Sequence, residues 1–356
     1  MSQPAYLALY EKLRQEIVSG GFPYGSKLPG KRALAEQNGV SVITVAHALE
    51  MLADEGYLAI RERSGCYVAY RAAEDFQRGQ EPEPSYAELP ELRSSADVDG
   101  FPFSVLAKSM RKVLADQGEA LLQKSPNQGL LSFRQSLSRY LARSRGIQAD
   151  PEQIIIGAGT EYLYGLLTEM LGWEKGWAIE FPSYEKIEQV YSARGIMLDP
   201  LPLARDGVQS EALWRTEASI LHISPYRSYP SDVTASASKR AEYLRWSDGP
   251  GRIIIEDDFE SEFSVQRKPM DTLFSQAERE NVIYLNTFSR TISSAMRVGY
   301  LVLPRALLPL YHQRVGFYSC TVPAFEQSVL AELIDSGDFE RHIRRVRRKL
   351  RSSSGA

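Results

Sequence analysis

The sequence predicts an α/β protein in two parts, a small helical head with a strand pair and a larger unit built on a largely parallel sheet. Three observations carry this. Three short helical patterns followed by two alternating strands fill residues 1–73. An acidic, proline-rich stretch with no hydrophobic period follows. Beyond it, amphipathic helical patterns alternate with short apolar runs, as in a sheet buried between helices.

The head is justified element by element. Residues 7–19 place Leu7, Leu9, Tyr10, Leu13, Ile17 and Val18 at helical spacing before Gly20 and Gly21 stop the pattern. The segment KRALAEQNG is a short second helix with Leu34 and Ala35 inward, closed at Asn38-Gly39. Ser41 caps a third helix whose Val45, Ala48, Leu49 and Leu52 form one apolar stripe, and Gly56 ends it. The stretch YLAIRERSGCYVAY reads as two strands joined at Arg63-Ser64-Gly65. This order makes a winged helix-turn-helix, in which the second helix of the pair enters the DNA major groove with its first turn, here Ser41 to Thr44.

Residues 74–96 are expected to be a linker, leaving 97–356 as the larger domain. There, helical segments such as SFRQSLSRYLARSRG alternate with six candidate strands: QIIIGAG, GWAIEFP, ASILHIS, RIIIEDD, VIYLNTF and GYLVLP. The chain finishes on a basic helix, FERHIRRVRRKLRSSSGA.

Composition bounds the function. Hydrophobic residues at 43% and charged residues at 24% are ordinary for a globular chain and argue against disorder. No window holds the roughly 18 apolar residues that a membrane span needs, and the N-terminus carries charge too early for a signal peptide. A cytoplasmic location is expected, with no membrane partner. Two cysteines, Cys66 and Cys320, are too few for a disulfide framework and, like the four scattered histidines, suggest no metal site. With a net charge of −3, and eight Lys/Arg against seven Asp/Glu in the first 73 residues, DNA binding must rest on a local surface.

The run LPGKRALAEQNGVSVITVAHALEMLADEGYL, followed by RERSGCYV, resembles the GntR family of regulators over its whole DNA-binding domain. By that resemblance Arg32 holds a phosphate or base from the start of the second helix, Ser41, Thr44 and His47 lie on the reading helix, and Arg61, Arg63 and Gly65 form the wing. Each also has a plainer use: Ser41 as a cap, Thr44 in packing, Arg61 as a solvated charge. The family often has arginines where this chain has Val42 and Ala46.

From about residue 97 the segments SPNQGLLSFRQSLSRYLARSRGIQADPEQIIIGAGTEYL, EFPSYEK, IIIEDDFESEF and NTFSRTISSAMRVGYLVLP resemble the MocR subgroup. There a GntR-type head is fused to a fold-type-I domain like that of pyridoxal-phosphate-dependent aminotransferases. The resemblance implies an α/β/α domain in which Asp257 faces the cofactor's pyridine nitrogen, Gly159, Thr160, Ser289 and Arg297 hold its phosphate, and Tyr184 lines the pocket. It also places Arg290 where the family has its Schiff-base lysine. A guanidinium keeps its proton and offers no lone pair to an aldehyde, so no covalent attachment is expected there. Phe259 replaces a tyrosine, PYRSYP departs from the family's Pro-x-His-Gln-x-Pro, and the chain stops at Ala356 where family members continue into a small domain.

The leading expectation is therefore a DNA-binding transcription regulator, not an enzyme, with a degenerate aminotransferase-like effector and dimerisation domain and pyridoxal phosphate bound noncovalently if at all. Its expected partners are a duplex operator, a second copy of the chain and a small anionic effector. Two alternatives stay open: a working pyridoxal-phosphate-dependent aminotransferase-like enzyme, and a truncated, non-functional remnant of such a regulator.

Overall fold

The computed structural model describes residues 4–61, 64–71, 100–259, 261–264 and 270–354. The chain divides into two compact units, Met1–Leu92 and Arg93–Ala356, taken separately below. The expected linker, 74–96, lies outside the described residues.

The first unit contains α1 (Ala5–Val18), α2 (Lys31–Asn38), α3 (Val42–Asp54), β1 (Leu58–Arg61) and β2 (Gly65–Val68). One apolar cluster holds it together, joining Leu9, Leu13 and Ile17 of α1, Leu34 of α2, Val45, Leu49 and Leu52 of α3, and Leu58 and Val68 of the strands. Helix α1 starts two residues before its apolar pattern, and Val18 is exposed rather than inward. The turn from α2 into α3 depends on Gly39, whose φ of 62° is the left-handed conformation that ends a helix without a Cβ penalty. Strands β1 and β2 pair antiparallel, Leu58 opposite Val68 and Arg61 opposite Gly65.

The second unit is an eight-stranded sheet. Its strands are β3 (Ile154–Gly157), β4 (Trp177–Phe181), β5 (Leu198–Ala204), β6 (Gly207–Val208), β7 (Ile220–Ile223), β8 (Ile253–Asp257), β9 (Val282–Thr287) and β10 (Gly299–Val302). Their order is β3-β10-β9-β8-β7-β4-β5-β6. The central run β9-β8-β7-β4-β5 is parallel, while β10 runs antiparallel to both β3 and β9. All six expected strands are present. The two that the sequence pattern did not reveal are β5, which carries Pro200 and Pro202, and the two-residue β6.

The helices are α4 (Phe103–Gln117), α5 (Leu131–Arg145), α6 (Thr160–Leu171), α7 (Glu185–Ser192), α8 (Ser210–Arg215), α9 (Ala237–Ser247), α10 (Leu273–Gln276), α11 (Leu308–Arg314), α12 (Ala324–Asp335) and α13 (Asp338–Ser354). Strand alternation sorts them into two layers. Ile155, Ile179, Ile253, Ile255, Ile283 and Leu301 face α6, α7 and α11 through Leu163, Leu167, Tyr191 and Tyr311. On the opposite face Ile154, Ile156, Tyr284 and Tyr300 meet α5, α12 and α13, while Ile254 and Val282 meet α9 and α10. With helices on both faces every central strand is buried, so each reads as a continuous apolar run.

Register fixes where the loops gather. Asp257 at the end of β8 pairs with Leu285, Thr287 at the end of β9 with Gly299, and Gly299 with Gly157 at the end of β3. The segments after β3, β8 and β9 therefore leave from one end of the sheet, the carboxyl end of the parallel strands where α/β folds bind ligands.

Candidate functional site

In the first unit the expected contact residues sit on three elements. Arg32 is exposed in the first turn of α2 and has no hydrogen-bond or ion-pair partner among the described residues. Ser41 is the N-cap of α3: its Oγ accepts from the Thr44 amide at 3.1 Å and shares a 2.9 Å hydrogen bond with the Thr44 hydroxyl. The plainer use of Ser41 thus operates here. His47 lies against Tyr6 of α1, rings stacked at 4.3 Å and 23°. In the strand pair the Arg61 guanidinium sits 4.5 Å over the Tyr67 ring, and Lys27 is 6.0 Å from the same ring. Gly65 has φ 119°, and a Cβ there would come within 2.9 Å of Lys27. Arg63 lies outside the described residues. Lys27 and Tyr67 were not expected from the sequence; the platform exists only because the strands pair.

In the second unit the expected residues gather at the carboxyl end of the sheet. Gly159 precedes α6 with φ 84°, and a Cβ there would stand 3.3 Å from the Arg297 guanidinium. Thr160 opens α6, whose first amides point toward any anion placed there. Arg297 also pairs with Glu161 at 3.1 Å. Ser289 accepts from the Thr287 hydroxyl at 3.0 Å, and exposed Arg290 follows it on the loop that the Phe288 amide closes onto the Val298 carbonyl at 2.9 Å. Tyr184 occupies the N-cap position of α7 beside Tyr229, its side chain making no capping hydrogen bond, and its phenol is raised by burial and then by Glu161, against the lowering effect of Arg297.

Asp257 is buried, and two groups the sequence did not single out converge on it. The Tyr164 hydroxyl donates to Oδ2 at 2.6 Å, and His222 Nε2 lies 3.3 Å from the same oxygen. Burial, with the Asp257 charge adding to it, holds both the Tyr164 and Tyr191 phenols well above their usual range, so both stay protonated. Tyr191 Oη and His222 Nδ1 share a 2.7 Å hydrogen bond, so a chain of polar contacts runs from Tyr191 through His222 to Asp257. Oδ1 of Asp257 is buried with no hydrogen-bond partner. A carboxylate with Oδ2 engaged by Tyr164 and His222 and with Oδ1 bare fits a ligand that brings its own N–H, such as a protonated pyridine. The Gly159–Arg297 cradle fits the anionic end of the same ligand.

The departing segment PYRSYP is tied to buried acids: Tyr226 donates to Glu256, and Ser228 Oγ donates to Glu180 at 2.6 Å. Phe259 is half-buried just past β8. Behind Asp257, Asp258 pairs with Arg145 at 2.7 Å and accepts from Tyr284 at 2.7 Å. Burial raises Glu262 to about 7, with the Asp258 charge adding and Arg145 opposing. Its folded value stands above the unfolded 4.5, so its contribution to stability is complete below about 4.5 and lost as pH rises through about 7. Glu262→Gln, neutral at every pH, should therefore show a smaller drop in melting temperature between pH 5 and pH 8 than wild type. Superimposable profiles would refute the buried-acid assignment.

Among the described residues no group of three or more His, Cys, Asp or Glu could hold a metal, and no helix is long and apolar enough to cross a membrane. Cys66 and Cys320 are both free thiols.

Comparison with known proteins agrees with both units. Residues 5–68 match the bacterial regulatory proteins of the gntR family, and residues 94–223 match the class I and II aminotransferases. An uncharacterized HTH-type transcriptional regulator of Bacillus subtilis is 30% identical over 98% of this chain and 77% of its own length. The probable rhizopine catabolism regulatory protein MocR of Rhizobium meliloti is 30% identical over 97% of this chain and 74% of its own. An archaeal alanine:glyoxylate aminotransferase structure superposes with a TM-score of 0.61 at 21% identity, over 68% of this chain. The chain spans 62% of that structure's length, and the likeness is one of fold.

Proposed function

The chain belongs to the GntR family of bacterial regulatory proteins, in the MocR subgroup that joins a helix-turn-helix head to an aminotransferase-like unit, and from that premise we propose how each unit works. It is a DNA-binding transcription regulator. We assign duplex binding to residues 1–73, a linker to 74–96, and ligand sensing and dimerisation to 97–356. A two-fold dimer suits paired operator half-sites. A cytoplasmic location follows from this role.

On the head, Arg32, Arg61 and Arg63 hold phosphates, Ser41, Thr44 and His47 present the reading helix, and Gly65 lets the wing turn close. The observation that carries the assignment is the exposed first turn of α3, held rigid by its Ser41 cap in a unit that matches the family from residue 5 to 68.

In the second unit Gly159, Thr160, Ser289 and Arg297 would hold the phosphate of pyridoxal phosphate, Asp257 its ring nitrogen, and Tyr184 its flank. That cofactor, when bound, supplies an electron sink for carbanion chemistry on amines. We take Arg290 as the counterpart of the family's covalent lysine, and with it assign sensing of a small anionic ligand rather than turnover. The bare Asp257 Oδ1 and the Gly159–Arg297 cradle support retained, noncovalent recognition.

A gel-shift series over salt tests the DNA assignment on the full chain. Affinity should fall steeply as salt rises. Arg32→Ala should weaken binding to every sequence and reduce the log–log salt slope by about one, whereas Thr44→Ala, which removes the hydroxyl bonded to Ser41 at the head of the reading helix, should change preference among sequences. Affinity independent of salt would remove the phosphate contacts.

A further inference from the structure

We propose that the reading helix selects its operator through thymine methyl groups, contacted by Ile43 and Val42. This rests on the DNA-binding role above and names the base chemistry that the role uses.

The solvent-facing row of α3, opposite buried Val45, Ala48, Leu49 and Leu52, runs through Ile43, Ala46, His47 and Glu50. At its leading end Ile43 is 82% exposed and Val42 44% exposed. The polar groups of this turn and the next are already engaged. The Ser41 and Thr44 hydroxyls bond each other at 2.9 Å, Ser41 also accepts from the Thr44 amide, and the His47 ring lies on Tyr6. The turn thus directs its hydroxyls into its own cap and its aliphatic carbons outward. Folding supplies no reason for this. A β-branched residue is a poor choice for a helix, and one this exposed gains nothing from the core.

In the major groove the one apolar feature on a base edge is the C5-methyl of thymine. The surroundings select nucleic acid over an apolar protein surface as the occupant. Lys31 and Arg32 stand exposed at the start of α2, and Lys27 and Arg61 share the Tyr67 ring, so the same small unit carries cations suited to phosphates. Base discrimination is then by shape and burial of methyl groups, with no arginine at Val42 or Ala46 to take a guanine edge.

The test uses the full chain and duplexes selected from a randomised pool. Each thymine of the selected duplex is replaced in turn by uracil, which removes the methyl group and leaves every hydrogen-bonding atom in place. At one or more positions uracil should weaken wild-type binding about 3- to 5-fold per methyl lost. In Ile43→Ala or Val42→Ala that loss should shrink toward nothing at the position the altered side chain reads. Both variants should keep the wild-type melting temperature, since neither side chain is part of the core. If wild type binds its selected duplex but tolerates uracil everywhere, the methyl contact is wrong and the DNA-binding role stands. If no duplex is enriched even at low salt, both fall.

Discussion

Incubated with pyridoxal phosphate and then reduced with borohydride, the wild-type chain is expected to carry no covalent adduct in the pocket at the end of β8, whereas Arg290→Lys is expected to carry one at that position. An amine attacks an aldehyde through its nitrogen lone pair; a guanidinium has none to offer. The substitution supplies the missing nucleophile and leaves Asp257, Thr160 and Arg297 untouched. Only a minor fraction of the variant should be modified, because Phe259 carries no hydroxyl for the cofactor's phenolic oxygen. Peptide mapping after reduction, alongside a visible absorption band, reads the result. An adduct in the wild-type pocket would overturn the assignment of Arg290 and the sensing role with it.

The largest expected effect on stability is at Asp258. Its side chain is 0% exposed and that of Arg145 4%, the pair 2.7 Å apart, with the guanidinium 4.6 Å over the Tyr226 ring. Asp258→Ala removes the counter-charge and strands a buried guanidinium, a change that costs about 3–5 kcal/mol. It also leaves the hydroxyls of Tyr284 and Ser261 without their acceptor. The double variant Arg145→Met with Asp258→Asn should regain much of the loss, since removing both charges is far less costly than removing one. Tryptophan fluorescence in urea isolates the effect, because Trp173, Trp177, Trp214 and Trp246 all belong to the second unit. A single-variant loss below about 1 kcal/mol would mean that the ion pair is not what secures this layer.

Much of the fold is legible in the sequence because its signals are local. Ser41 caps the helix it precedes, Gly39 ends the one before it, and six apolar runs mark six strands. Strand β5 was hidden because Pro200 and Pro202 break the β pattern, and only its place between β4 and β6 makes it a strand. The antiparallel course of β10 has no sequence signal at all, since a four-residue apolar run has no direction. At the site, Asp257 was marked by its place at a strand end. Tyr164 and His222 were not, because each reads as an interior residue of an apolar element until the sheet brings both to the same carboxylate. The Tyr67 platform stayed invisible for the same reason: Lys27 and Arg61 are 34 residues apart in the chain and meet on one ring.

The unmatched Oδ1 of Asp257 ties ligand binding to stability. A ligand that supplies a donor to this buried acceptor gains a hydrogen bond that the surrounding side chains do not make. Occupancy and heat resistance are therefore linked: a compound present at 100 times its dissociation constant adds about 2.7 kcal/mol to the folded state. The sensing role proposed above can thus be tested by melting the protein against panels of small molecules, without knowing one operator base. Asp257→Leu, which replaces the acceptor with carbon, separates compounds that complete the network from those that merely stick elsewhere.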